Sequence, residues 1–140
     1  KMVAEAPKNW LRKVYVSEGY EKNPENQTLL KTFSNDAPSY GFVMETVSDS
    51  VFKSVSDTQT PQGIMAVVSM PEYSLEQLVQ GDKTHLLILE SIQDPGNLGT
   101  MLRTGEGAGI TGVIMNKTTV DLFNPKTIRS TMGSIYRMPF

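Results

Sequence analysis

A chain of 140 residues, 39% hydrophobic and 20% charged, has the composition of a globular protein sized for one ordinary domain or two small ones. No run approaches eighteen uninterrupted apolar residues and the first residues hold neither a basic nor an apolar leader segment, so no membrane span or signal peptide is expected, and a cytoplasmic protein is. The absence of cysteine and the single histidine, His85, argue against disulfides, thiolate metal sites and a zinc centre.

The net charge of −2 does not announce a basic nucleic-acid face, but it is unevenly placed. Residues 1–80 hold 7 Lys and Arg against 10 Asp and Glu, whereas residues 81–140 hold 6 against 5. The second half is the better candidate for binding an anion.

In chain order, residues 1–6 read as the tail of a helix entered after its start, with no capping residue ahead of it. Arg12–Val16 reads as a strand, and Asn23-Pro24-Glu25 opens a helix through Leu29, Leu30 and Phe33. Residues 41–45 predict a second strand. Ser48 caps a short helix bearing Val51, Phe52 and Val55, and residues 63–68 form a continuous apolar run of the kind expected for a central strand. This alternation predicts a small α/β sandwich over residues 1–70. Residues 71–82, with a short capped helix among turn residues, are expected to be a linker. A strand at 84–90, a helix at 97–108, a strand at 112–116 and a helix at 125–132 then repeat the pattern of a parallel sheet over 83–140. The last residues run toward another strand.

The segment from Leu86 to Gly109 carries the most functional information. It reads as a strand, a tight turn at Pro95-Gly96 and a glycine-studded helix with one arginine, which is architecture for holding an anion at a strand end. Asn97 is placed at the helix N-cap. Arg103 lies four residues after Gly99, and helical side chains slant toward the N-terminus, so its guanidinium is expected over a position without a side chain, with room for a phosphate or ribose. A purely structural role is also open: Asn97 as a cap, Arg103 paired with Glu106, and the glycines serving close helix packing. Internal glycines each cost a helix about 1 kcal/mol, which weighs toward function.

Residues 107–112 match GxGxxG in form only, because these glycines end a helix and lead into a strand, the reverse of the dinucleotide fingerprint. Gly109 is better read as the residue past a helix C-terminus. Lys126, Arg129 and Arg137 are candidate phosphate contacts, with solvation as the alternative. Trp10, Tyr15 and Phe42 are assigned to packing rather than base stacking.

The run Asp94-Pro95-Gly96-Asn97-Leu98-Gly99, then Leu102-Arg103-Thr104, Gly109, Asn124-Pro125-Lys126, Arg129-Ser130-Thr131-Met132-Gly133-Ser134 and Pro139 resembles the SpoU (TrmH-like) branch of the SPOUT RNA methyltransferases. Residues 1–70, including Thr58-Gln59-Thr60-Pro61-Gln62-Gly63-Ile64, resemble the L30e-like substrate-binding domain that precedes the catalytic domain in many of these enzymes. The resemblance implies an α/β protein: an L30e-like domain followed by the first half of a SPOUT-type parallel-sheet domain whose knot is incomplete within these residues. It also implies methyl transfer from S-adenosylmethionine to a ribose 2′-hydroxyl of ribosomal or transfer RNA, in an enzyme that is a homodimer when whole.

Asn97 and Arg103 fall on the family's first-motif asparagine and arginine. A guanidinium is effectively always protonated, which favours Arg103 as a phosphate clamp over a general base, with Asn97 orienting it. Lys126, Arg129 and Thr131, the last where the family has Ser, are the expected RNA contacts. The cofactor-binding motifs are expected beyond Phe140, so these residues are expected to be inactive and unable to bind S-adenosylmethionine by themselves. The rival expectation is a non-catalytic L30e-like RNA-binding module; a phosphate-binding metabolic enzyme is the third.

Overall fold

The structure is a computed structural model and describes residues 2–140. The chain divides into two units: Ala6–Met70, and Pro71–Phe140 joined by the amino-terminal residues through Glu5, which include helix α1 (Met2–Glu5). The sequence alone grouped those first residues with the stretch up to 70. In the structure Met2 packs against the core of the second unit and Glu5 pairs with Arg137.

The first unit is built on a three-stranded sheet in the order β2-β1-β3, formed by β1 (Leu11–Ser17), β2 (Val43–Val47) and β3 (Ile64–Val68). The β1–β2 pair is parallel and β1–β3 antiparallel. Helices α2 (Glu18–Lys22) and α3 (Gln27–Tyr40) make the crossover a parallel pair requires. Asn23 accepts a hydrogen bond from the Glu25 backbone at 3.0 Å and leads a single 3₁₀ turn, Pro24–Asn26, into α3. The helix stops at Gly41, whose φ of +72° is the left-handed conformation that ends helices.

Val14 and Val16 of β1 are buried, as are Phe33 of α3, Phe42, and Phe52 of α4 (Asp49–Val55). Phe33 and Phe42 meet edge to face at 6.1 Å. The apolar run expected to be the central strand is instead the antiparallel edge, β3. The central strand is β1, although it carries Arg12 and Lys13.

In the second unit, Ser74 and Gln77 form a reciprocal capping box on helix α5 (Leu75–Leu78), inside the stretch read as linker. Strands β4 (Leu86–Leu89) and β5 (Gly112–Met115) pair in parallel, Leu86 opposite Gly112 and Leu89 opposite Met115. Helix α6 (Pro95–Gly107) connects them, and Leu98 and Leu102 on its inner face are fully buried beside Leu89, Val113, Leu122, Ile135 and Met138. Helix α7 (Pro125–Thr131) packs on α6. Where the sequence pointed to a strand at the end of the chain, Ser134–Tyr136 form a 3₁₀ turn, and Pro139 contributes one sheet-like bond by accepting from the Val113 N–H at 2.9 Å.

Candidate functional site

The loops that leave β4 and β5 are laced together at the carboxyl end of this parallel pair. Ser91 adopts a left-handed φ of 56°, rare for a residue with a side chain. Its N–H donates to Asn116 Oδ1 at 2.9 Å and its hydroxyl shares a hydrogen bond with Thr118 at 2.7 Å. Gln93 Nε2 donates to the Thr118 carbonyl at 2.6 Å. Four side chains and a strained backbone position thus fix the approach to α6.

The cap of that helix is Asp94, not Asn97. Asp94 Oδ1 accepts from the Asn97 N–H at 2.7 Å, and Pro95 occupies the first helical position, where its missing N–H costs nothing. Asn97 sits in the first turn with its side chain exposed and without a hydrogen-bond partner among the described residues. Asn124 caps α7 in the same way, accepting from the Lys126 N–H at 2.9 Å, and Lys126 Nζ lies 4.0 Å from Asp94 Oδ2.

Gly99 is not an empty notch. A Cβ placed there would lie 2.4 Å from Ser130 Cβ and 2.8 Å from the Thr127 carbonyl oxygen, so α7 fills the space left by the missing side chain. The expected ligand cradle at Gly99 is therefore a helix-helix contact, one of the structural roles left open for these glycines. Arg103 is one turn beyond Gly99, and Arg129 adjoins Ser130, so both arginines sit on the turns that meet at this crossing. Both are exposed, with no ion pair or side-chain hydrogen bond among the described residues.

The other sequence candidates fare differently. Glu106 does not pair with Arg103, because Arg137 takes it: Nε and Nη2 of Arg137 both bond the Glu106 carboxylate, the latter at 3.2 Å, and Nη1 reaches Glu5 at 3.2 Å. The Arg137 hydrogen bonds, and then one from Ser134, hold the Glu106 carboxyl below the usual glutamate range. Arg137 is thus committed and is not a free phosphate ligand. Thr131, expected to touch RNA, is fully buried; its hydroxyl donates to the Ile128 carbonyl at 2.7 Å and accepts from the Gly133 N–H, supporting the left-handed turn at Met132 and Gly133. Asn97 and Arg103 are six residues apart, about 9 Å along the helix and about 120° around it, so Asn97 does not orient the arginine. The Ser91–Asn116–Thr118 lacing was not singled out in the sequence; a serine and an asparagine at strand ends give no local signal of pairing across 25 residues.

Comparison with known proteins supplies the lineage. Residues 84–140 match the model of the SpoU rRNA Methylase family, and residues 2–74 match the model described as RNA 2'-O ribose methyltransferase substrate binding. The chain belongs to the SpoU family. It is 45% identical over 93 residues to the 23S rRNA (guanosine(2553)-2'-O)-methyltransferase RlmP of Bacillus subtilis, a match covering 66% of this chain and 36% of that one. It is 42% identical over 91 residues to human mitochondrial rRNA methyltransferase 3, covering 62% and 22%. The matched stretch of this SpoU chain therefore spans 36% of the first relative's length and 22% of the second's. The crystal structure of an AdoMet-bound rRNA methyltransferase from Sinorhizobium meliloti superposes with a TM-score of 0.78 at 23% identity, over 94% of this chain and 47% of that one. That likeness confirms the expected α/β SpoU fold.

Among the described residues no helix is long and apolar enough to cross a membrane, and no group of three or more His, Cys, Asp and Glu is placed to hold a metal ion.

Proposed function

We propose that this chain is the RNA-facing part of an S-adenosylmethionine-dependent RNA 2′-O-ribose methyltransferase, with residues 6–70 as an L30e-like substrate-binding domain, 71–82 as the link and 83–140 as the start of the catalytic domain. The observation that carries this reading is the uncommitted pair Arg103 and Arg129. Arg137, the remaining arginine of this unit, is tied up in ion pairs, whereas these two guanidinium groups are left to solvent on helices that cross at the carboxyl end of a parallel sheet. Family membership makes RNA the anion they serve.

In this reading Arg103 grips the phosphate next to the target ribose through two parallel N–H···O bonds and so aligns the 2′-hydroxyl for in-line attack. It remains protonated throughout and acts by position and charge. Arg129 and Lys126 hold neighbouring phosphates, and the exposed Asn97 amide hydrogen-bonds the sugar. S-adenosylmethionine supplies the methyl group in the whole enzyme. The groove of this unit beside β4 and α6, lined by Leu87, Leu89, Met101 and Ile110 with two threonines, offers neither a carboxylate nor an amide to the charged amino-acid end of that molecule, so the cofactor is assigned to none of these residues. Such an apolar groove suits the seam of a homodimer, which this reading places in the cytoplasm.

The test is methyl transfer by the full-length enzyme. Arg103→Ala should lower kcat by about 10²–10³ with little change in cofactor affinity, as when a preorganised electrostatic contact is removed. Arg103→Lys should recover only part of it, since a point charge lacks the planar fork. Unchanged turnover in the alanine variant would remove Arg103 from the mechanism. Calorimetric titration of the 140-residue chain with S-adenosylmethionine should show no micromolar binding; a micromolar isotherm would overturn the assignment of the cofactor elsewhere.

A further inference from the structure

The first unit carries an open cleft of about 460 Å³ that the proposed chemistry does not use. Three segments distant in sequence form it: the end of β1 with α2, the start of α4, and the Pro61-Gln62-Gly63 turn before β3. The last lies within the Thr58–Ile64 run singled out in the sequence.

Its walls are held in place by their own hydrogen bonds. Ser17 donates its N–H to the Gly63 carbonyl at 2.8 Å, and its hydroxyl oxygen accepts from the Tyr20 N–H at 3.3 Å. Gly63 has a φ of +85°, and a Cβ there would lie 2.7 Å from Tyr20 Cβ and 2.9 Å from Ser17 Oγ, so only glycine lets the turn press against the tyrosine. Asn26 Nδ2 donates to the Tyr20 carbonyl at 3.0 Å. Asp49 Oδ1 accepts from the Gly19 N–H at 3.0 Å, and that bond, followed by one from Ser17, holds its carboxyl below the usual aspartate range. An ionised carboxylate has about four acceptor sites, so Asp49 keeps capacity for a ligand. Gln62 is exposed, with no partner among the described residues for its carboxamide.

The lining contains a carboxylate and no Lys or Arg, and Lys22, whose charge reaches Asp49, is itself paired with Glu18, so the cleft disfavours phosphate and favours a group that donates N–H bonds. Beside a half-buried tyrosine, that description fits the edge of an unstacked nucleobase. Guanine presents two adjacent donors, N1–H and the exocyclic amine, next to the O6 acceptor. Adenine and cytosine place a ring nitrogen acceptor beside their amine, and uracil flanks its single N–H with two carbonyls, so each would turn a lone pair toward the carboxylate.

We propose that this cleft reads one unpaired guanine of the substrate RNA, with its N1–H and exocyclic amine on Asp49, O6 on the Gln62 amide, and Tyr20 as the wall. The inference rests on the RNA reading above, but it concerns recognition away from the methylated ribose.

The experiment measures binding of labelled pentaribonucleotides, a uridine tract with guanine, inosine, adenine or cytosine at its centre, to the 140-residue chain by anisotropy, with amide chemical shifts recorded in parallel. Guanine should bind about tenfold or more tighter than adenine or cytosine, the size expected of a bidentate base contact. Inosine, lacking the amine, should fall between. The shifts should concentrate at Gly19, Tyr20, Asp49 and Gly63. Asp49→Asn keeps an acceptor for the Gly19 N–H but turns a donor toward the base, and should erase the preference for guanine. Gln62→Ala, at an exposed position, should weaken guanine binding severalfold and serves if the aspartate variant does not fold. Equal binding of all four oligonucleotides, unaffected by either substitution, would overturn this inference and leave the RNA reading standing. No binding of any of them would count against both.

Discussion

Gly99 shows how one missing side chain can be misassigned. An added methyl group there would collide with Ser130 Cβ and the backbone of α7, not with a flexible side-chain tip, so the two helices would have to separate. Gly99→Ala should therefore destabilise the protein by about 1–3 kcal/mol through overpacking, even though alanine favours the helix by about 1 kcal/mol. Gly107 on the same helix is the contrasting case. A Cβ there meets nothing within 4 Å, and Gly107→Ala should stabilise by about 0.5 kcal/mol. Denaturant midpoints of the two variants should move in opposite directions; a gain at Gly99 would show that α7 can yield. Spacing along α6 cannot tell these glycines apart, because it reports which face a residue is on and not what packs against that face. Arg103 was singled out because the glycine and asparagine pattern around it resembles the SpoU motif; that it has no partner could be seen only in the structure, where Arg137 holds Glu106.

At the scale of elements, chain-local chemistry was readable and partners were not. Ser48 at the start of α4 and Asn124 at the start of α7 were both recognisable, because capping depends on residues two to four apart. The misplaced cap on α6 has a local cause as well. Asp94 takes an extended conformation ahead of Pro95, as residues before proline prefer, and that shifts the true cap three residues upstream of Asn97. Asp94→Ala should cost about 1 kcal/mol of stability, measured by thermal melting. It should also release Lys126, whose surface pairing is too weak to add much to that figure. The order of strands was beyond reach for a different reason: the apolar run 64–68 says that a strand is packed on, not how many neighbours it has. The lysine and arginine of β1 masked the central strand because their long stems can lie along a sheet while their charges reach water.

For the molecule as a whole, the Glu5–Arg137–Glu106 cluster joins residues 132 positions apart. The Glu106 carboxyl is held below its unfolded value of 4.5, so its contribution to stability is complete above that pH and is lost as the pH falls through the lower folded value. Arg137→Met, which keeps the apolar stem, should cost about 1 kcal/mol near neutral pH, a modest figure because the arginine is about half exposed. The difference in Tm between the variant and the unaltered chain should shrink as the pH is lowered to about 3. A difference that persisted unchanged would show that the arginine acts through packing alone.

The unit that holds residues 71–140 also contains residues 2–5, and the 65 residues from Ala6 to Met70 are spliced into its sequence as a guest. A clone begun at Ala6 would look like a harmless trim of the substrate-binding half. It would instead strip Met2 and Glu5 from the other half, so the damage from that shortening should fall on the arginine-bearing helices and leave the guest folded.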